Sequence, residues 1–357
     1  VFSVEQRGDH HGLAAEISVS VVDHPGISVV IVHYNGEALL DACMASIQTQ
    51  PYHPVEVILV DNGSSDGSVA MVRRKYPGVR VLEQGVNLGF AEGNNRGVAA
   101  ATGEYVVLLN NDTEVTAEWI PGLLEYMADP AVAVVTSKVV TDGVPERYYT
   151  MNGSLNPLGY NIMRVFTDLS TIFFAGGASV MFRRAEIAHP FLDEYFLYHE
   201  DVFLSWHMRL LGRDVRMAQR SLVLHRGSAT TRAHASALVT FYQERNKLLN
   251  ALLLYSCWTL LRLAPLMVFD GAAKLLAGAI TGKKSPAGIL RGYVWVLLHA
   301  GWVVARRKEL QATRVVHDRE ILRWMSGRLL DGNGGAARVV NGCMRLYARV
   351  TGLRFYD

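Results

Sequence analysis

Cysteine is scarce in this 357-residue chain: Cys43, Cys257 and Cys343 are odd in number and far apart. Neither a disulfide framework nor a zinc-ligand spacing can be drawn from them, which fits a reducing compartment. The N-terminus lacks the apolar core of a signal peptide, since Glu5, Arg7, Asp9 and two histidines interrupt it. No P-loop, zinc motif or nucleophile elbow occurs. Gly85-Val-Asn-Leu-Gly89 is not G-x-G-x-x-G and lacks a following ribose-binding acid, which excludes the usual dinucleotide fold. No internal repeat is present, and no apolar run reaches the roughly 18–20 uninterrupted residues of a comfortable spanning helix.

What is present begins with enough apolar residues, 50% of the chain, for a sizeable core. The formal net charge of +2 hides a division. Residues 1–204 hold 11 Lys and Arg against 25 Asp and Glu, and residues 205–357 hold 24 against 8. An acidic half able to hold a cation, joined to a basic half, points to an anionic partner, with nucleic acid and an anionic membrane face both in play. Apolar stretches over 248–263, 266–280 and 292–305 are interrupted by Arg262, Pro265, Asp270 and Lys274. Lys283, Lys284, Arg306, Arg307 and Lys308 edge them. Such a pattern suits helices lying in a membrane interface, or a helical subdomain packed on the rest of the chain or on another subunit.

Strand-like and helix-like stretches alternate through the first third. Ile27–His33 is a β-branched run of the buried parallel kind. A helical spacing follows over 37–50, then strands at 55–60, 79–82 and Tyr105–Leu109, with helices up to Tyr76 and over 91–101. This predicts an α/β sheet with ligands at the strand C-termini. Further strands are expected at 132–140 and 175–182, an irregular stretch over 148–174, a helix at 201–211, and two short strands at 214–218 and 221–225.

Four places carry residues suited to chemistry. Asp61 ends a strand ahead of Asn-Gly-Ser-Ser-Asp-Gly67, where a carboxylate can accept from a pyrimidine ring N–H or simply close an Asx-type turn. Asp112 ends the strand Tyr105–Leu109, where a hard carboxylate can bind Mg²⁺ or Mn²⁺, and Asn110 and Asn111 can reach ribose or phosphate oxygens. Glu200 and Asp201 sit between aromatic-rich runs that exclude water, which strengthens a carboxylate as a base; capping a helix is the plainer role. His225 ends an apolar run ahead of Arg226-Gly-Ser.

Taken in order, these segments resemble the family 2 glycosyltransferases with the GT-A fold. The resemblance rests on Val30-Ile-Val-His-Tyr34-Asn35, on Val60-Asp61-Asn-Gly-Ser-Ser-Asp66 and on the loop from Asn87 through Asn94 to Gly97. Asn110-Asn111-Asp112 stands where Asp-x-Asp is usual, and Glu200-Asp201, Val223-Leu-His225-Arg-Gly-Ser and Tyr242-Gln-Glu-Arg245-Asn246 complete the set. The last element and the N-N-D point toward the bacterial rhamnosyltransferase-like subgroup. The resemblance covers residues 27–250.

It implies a GT-A-type mixed sheet with flanking helices over 27–235, after a lead-in at 1–26; the helical, basic, membrane-interface region at 236–357 is not part of the family's core and is read from its own apolar and basic pattern. The resemblance further implies inverting transfer of a sugar, rhamnose among the candidates, from a dTDP-, UDP- or GDP-linked donor to a lipid-linked saccharide in cell-surface polysaccharide assembly. Asp201 would be the base with Glu200 beside it, and Asp112 and His225 would hold a divalent cation. Tyr34, Asn35, Asp61, Asn87, Asn94, Asn110 and Asn111 would line the donor, with Arg226 and Arg245 at the acceptor's pyrophosphate. The expected place is peripheral, on the cytoplasmic face of the cell membrane, with no nucleic-acid partner and oligomerisation open through the C-terminal helices. Two rivals are a non-catalytic, membrane-associated sugar-nucleotide-binding protein and a nucleotidyltransferase, the latter lacking its basic loop near residues 34–36.

Overall fold

Alternating burial of β-branched residues builds the sheet. A computed structural model describes residues 25–53, 55–141, 154–162, 172–226, 236–332 and 334–355. Nearly all of the lead-in, most of the irregular 148–174 stretch and the residues leading to the 235/236 boundary lie outside the described residues. Strands β1 (Ile27–His33), β2 (Val55–Asp61) and β4 (Tyr105–Leu109) are apolar along most of their length, as strands covered on both faces must be. Their side chains sort by twos. Ile27, Val29 and Ile31 enter one apolar cluster and Val30 the other; Val107 and Leu109 part from Val106 and Leu108 in the same way.

With β3 (Arg80–Glu83), β5 (Thr113–Val115), β6 (Val132–Thr141), β9 (Ser179–Arg183) and β10 (Asp214–His225) they form an 8-stranded sheet in the order β3-β2-β1-β4-β9-β6-β10-β5. A separate small pair joins β7 (Ser154–Leu155) and β8 (Asn161–Ile162). Strands β1 to β4 are parallel, β9 is antiparallel to β4 and β6, β10 is parallel to β6, and β5 is antiparallel to β10. Helices α1 (Glu37–Gln48), α2 (Ser68–Lys75) and α4 (Trp119–Met127) supply one apolar cluster. Helices α3 (Gly89–Ala100), α5 (Glu200–Leu210) and α6 (Ala237–Leu254) supply the other. Gly97 lets α3 lie directly on β1, because a Cβ there would stand 2.2 Å from Val30 Cγ1.

Helix α4 holds Pro121 in its first turn, where its missing N–H costs nothing, and Gly122 fits tightly against Ser221. One element differs from expectation. The two strands expected at 214–218 and 221–225 are one strand, β10, whose pairing with β6 shifts between Ala218 and Leu222.

The C-terminal helices start on serine caps. Ser236, Ser256 and Ser285 accept from the N–H groups of Val239, Thr259 and Gly288 at the starts of α6, α7 (Cys257–Thr281) and α8 (Pro286–Leu298). The break therefore falls before Ser256, not at Pro265, which α7 absorbs. This corrects the view of short interrupted runs: α7 has 25 residues and is long and apolar enough to cross a membrane by length and composition, with 17% of its apolar window buried. Helices α8 and α9 (Ala300–Ala312) meet at 72°, and α10 (Asp318–Leu322) and α11 (Gly335–Thr351) complete the chain. The α3-side cluster continues unbroken through Leu249, Leu254, Leu263, Val296, Ile321 and Leu353. Two of the five basic residues expected at a membrane turn inward instead. Lys284 pairs with buried Glu244 at 2.5 Å, and Arg307 donates to the carbonyls of Leu252 and Tyr255.

Candidate active site

Strand β2 lies on one side of β1 and β4 on the other, so the connections diverge from the crevice at their carboxyl ends. Ligands of open α/β sheets bind at such a switch point. His33 closes β1 there, fully buried, and its Nδ1 lies 2.7 Å from the Asn111 amide nitrogen. An amide nitrogen only donates, so Nδ1 accepts and the ring is neutral. Burial lowers the His33 pKa in the same sense, against the opposing charges of Asp66 and Asp61.

Next to it β5 turns back along β10, pairing Thr113 with His225. That register brings His225 Nε2 to 3.2 Å from Asp112 Oδ1, both side chains nearly buried, while the Arg226 N–H donates to the Asp112 carbonyl at 3.0 Å. The Asn110 side-chain oxygen is buried and has no hydrogen-bond partner among the described residues. Among those residues no three His, Cys, Asp or Glu side chains gather as a metal site. The imidazole and carboxylate of the Asp112–His225 pair are donor types that fit a hard or borderline divalent ion.

Asp201 arrives from the other side of the sheet. The Asn110 N–H donates to the Ala178 carbonyl, and the neighbouring Gly177 N–H donates to Asp201 Oδ2 at 3.2 Å. One dipeptide ahead of β9 thus ties the base candidate to the end of β4. Asp201 stays partly exposed and Glu200 is buried, its Oε2 without a partner among the described residues. Burial raises both carboxyl pKa values, and the Asp201 charge raises that of Glu200 further. Of the two carboxyls, Glu200 is pushed toward its neutral form more strongly, and Asp201 is the more accessible.

The linkage has a sign that can be checked. A carboxyl whose folded pKa is raised loses stability as pH rises above its unfolded value, because the folded state holds the proton longer. Glu200→Gln removes that loss. The variant is expected to melt at least about 2 °C above the wild type at pH 8, with the gap closing toward pH 4. A gap independent of pH would show that Glu200 is not a buried titrating group.

The loop ahead of these acids is strained. Phe196, Tyr198 and His199 have φ of 58°, 69° and 66°, each costing on the order of 1–3 kcal/mol in a non-glycine residue. Helix α6 holds it. The Asn246 amide donates to the carbonyls of Tyr195, Leu197 and Tyr198 at 2.7–2.9 Å, and Asn250 donates to that of His199 at 3.1 Å. Arg245 donates to the Glu194 and Tyr195 carbonyls and to Asn246 Oδ1, between the rings of Phe241, Tyr242 and Trp295. Arg245 was expected at an acceptor pyrophosphate. The structure gives its donors to the protein's own backbone, 4% exposed, and this corrects that expectation. Opposite, α3 opens against the same loop: the Phe90 and Ala91 N–H groups donate to the Phe196 carbonyl, and a Cβ at Gly89 would collide with Phe196.

The other expected residues are dispersed around this edge. Tyr34 is exposed, and Asn35, itself at φ 55°, clamps the 64–65 backbone through its N–H to Ser64 Oγ and the Ser65 N–H to its Oδ1. Asp61 accepts from Gly63 and Ser64 in an Asx-type turn. Asn87 caps α3 through Gly89, and Asn94 donates back to Phe90 within that helix. Arg226 pairs with Glu114. Sequence reasoning missed Asn62, whose amide ties the β2 loop to Gly89, and Gly177. It also missed Asn250 and the holding role of Asn246. Polar residues spaced i, i+4 on α6 were the available signal.

A mixed sheet with a switch-point edge, an acid–histidine pair at one strand end and a carboxylate pair opposite is a GT-A-type architecture. The fold is shared with a mannosyltransferase from Pyrobaculum calidifontis solved in complex with GDP-Man and Mn²⁺ (TM-score 0.51, 20% identity, covering 82% of this chain and 86% of that one). It is also shared with S. aureus TarS 1-349 in complex with UDP-GlcNAc (TM-score 0.51, 13% identity, 93% and 89%). Residues 28–188 match the family model described as Glycosyl transferase family 2. Residues 28–188 thus carry a family 2 glycosyltransferase domain. Among curated proteins it is similar to N-acetylglucosaminyl-diphospho-decaprenol L-rhamnosyltransferase of Mycobacterium tuberculosis, 25% identical over 255 residues, which span 61% of this chain and 82% of that one.

Proposed function

We propose that the protein moves a sugar, rhamnose first among candidates, from a nucleotide diphosphate sugar to a hydroxyl of a lipid-linked saccharide with inversion at the anomeric carbon. The observation that carries this is the partly open Asp201, tied through Gly177 and Ala178 to the strand that ends in the Asp112–His225 pair. Asp201 takes the proton of the acceptor hydroxyl as that oxygen attacks on the face away from the leaving diphosphate. Glu200, pushed more strongly toward its neutral form, leaves Asp201 the more ionised of the pair. Asp112 and His225 would hold a divalent ion, which supplies Lewis-acid stabilisation of the departing diphosphate. The neighbours' GDP-Man, UDP-GlcNAc and Mn²⁺ support this reading, and so does the lipid diphosphate in the relative's name.

For the acceptor's lipid, a cavity of about 530 Å³ between α6, α7 and α8 has apolar walls including Leu248, Met267 and Leu275, and its lining lysines Lys247 and Lys274 pair with Glu244 and Asp270 there. Exposed Leu261, Val268, Phe269 and Ile280 on α7 support a place at a membrane surface. Incubation with dTDP-rhamnose, UDP- and GDP-sugars and a polyprenyl-diphosphate-linked amino sugar, with the product anomer read by NMR, tests the proposal. A retained anomeric configuration overturns the mechanism, and neither transfer nor hydrolysis with any donor favours the binding-protein rival.

Asp112→Ala and His225→Ala are each expected to weaken Mn²⁺-dependent donor binding by about tenfold or more, the magnitude of a lost metal contact. The double variant should add little beyond the worse single one, since both act on one ion. Thermal shift with each nucleotide sugar, with and without Mn²⁺, reads this directly. Full activity in excess chelator would remove the ion from the mechanism.

A further inference from the structure

A second cavity, sharing no lining residue with the active site or the α6–α8 cavity, opens between α11 and the 327–332 turn. Its volume is about 530 Å³, within the range of ligand sites, and among the described residues its lining includes Arg328, Arg338, Arg345, Arg349 and Arg354 and no acidic side chain. The turn is fixed in place. Asn341 accepts from the Leu329 and Leu330 N–H groups at 2.8 and 3.1 Å and donates to the Leu330 carbonyl at 2.9 Å. Arg328 donates to the Gly332 carbonyl. Five arginines lining one hollow favour an anionic occupant. The planar guanidinium fork matches phosphate oxygens in pairs.

Helix α11 says where that phosphate comes from. It buries Ala337, Asn341, Met344 and Ala348. Arg338, Arg345 and Arg349 fall at i, i+7 and i+11 on one stripe, and the adjacent stripe holds Val339, Leu346 and Val350, exposed by 67%, 64% and 79%. A basic stripe beside an exposed apolar one is the pattern of a helix lying in a membrane surface. Tyr347 ties α11 to α7 through the Arg262 carbonyl at 2.6 Å, so the stripe is carried with the apolar helix.

We propose that this arginine pocket binds the phosphate headgroup of an anionic phospholipid while Val339, Leu346 and Val350 enter the acyl boundary. It rests on the membrane-surface location proposed above. It does not need the transfer reaction.

The test uses the full chain with vesicles of phosphatidylcholine alone and of phosphatidylcholine with phosphatidylglycerol, and with inorganic phosphate in solution. Arg345→Gln with Arg349→Gln should lower partitioning onto the anionic vesicles by about 10- to 30-fold, near fivefold per charge lost at the surface, and leave binding to neutral vesicles unchanged. Arg345→Lys with Arg349→Lys keeps the charge and loses the paired geometry, so a shaped pocket predicts an intermediate loss. Val339→Asp with Leu346→Asp should weaken binding to both vesicle types.

Full retention by the lysine variant and by the glutamine variant would overturn the pocket while leaving the membrane location standing. Absence of binding to either vesicle would overturn the membrane location as well. Tight binding of inorganic phosphate that does not compete with anionic vesicles would assign the pocket to a free anion and overturn the lipid occupant. Donor hydrolysis in all variants should match the wild type, which separates these outcomes from misfolding.

Discussion

Asp201→Asn is expected to abolish sugar transfer while nucleotide-sugar binding persists. The amide keeps the size of the carboxylate, and its oxygen can still accept from the Val202 N–H, bonded at 2.7 Å in the wild type. What it cannot do is take a proton at neutral pH. A positioned general base is worth about 10²–10⁴-fold, so a loss of at least ~10² in turnover is expected with donor affinity changed little. The pH profile carries a second check. Burial lifts the Asp201 carboxyl above its ordinary range, so wild-type turnover should fall on the acid side at a pH above that of an exposed aspartate. Near-normal turnover in the variant would move the base elsewhere, with Glu200 the nearest alternative, and its burial would then need an opening motion.

The second large effect is expected far from any substrate atom, at Asn246. Its amide is shared among three carbonyls of the loop that carries three positive-φ residues, and its oxygen accepts from Arg245. Asn246→Ala strips those partners from backbone groups in a largely buried setting, at about 1–3 kcal/mol for each group left unpaired. The strained loop then relaxes and the acids that follow it lose their aim. Turnover should fall by about tenfold or more, as displacement of a reacting group predicts, while donor affinity stays within a few-fold. Asn246→Asp separates placement from volume. It is nearly isosteric but only accepts, so it faces three carbonyls with a negative charge and should do worse than alanine. Measurements well below each variant's Tm distinguish lost aim from lost fold. Wild-type turnover in Asn246→Ala would mean the loop keeps its shape without α6.

Such a role for α6 explains why Arg245 was legible as important but not as what it is. Its place in Tyr-x-x-x-Arg-Asn marked it, and its charge suggested an anionic substrate. Cations near a glycosyl-transfer site invite that reading. The pairing with the Glu194 and Tyr195 carbonyls depends on α6 crossing the sheet's edge, and no local pattern encodes a crossing. Asn35 and Asp61 show the same limit at shorter range. Both stand in loops suited to a donor, and both have their polar atoms partly engaged by neighbouring backbone. The plainer turn-closing role of Asp61 is what the geometry displays.

Residue pattern alone suffices for the strands at Ile27–His33 and Tyr105–Leu109, because apolar runs bounded by glycine and asparagine have few other ways to be buried. It determined the parallel order of the first strands through their helical spacers, and it placed Asp112, Glu200-Asp201 and His225 at element ends where side chains meet solvent or ligand. Serine caps at 236, 256 and 285 are equally local, yet the apolar stretch 248–263 runs straight across the one at Ser256. The tertiary structure alone decided the rest. Thr113 had to pair with His225 before Asp112 and the imidazole could meet, and the Ala178 and Gly177 backbone had to sit against β4 before Asp201 could join them. Those contacts link residues separated by long stretches of chain. Their partners are chosen by sheet register and helix crossing, which depend on the packing of whole faces and not on any segment's own preference.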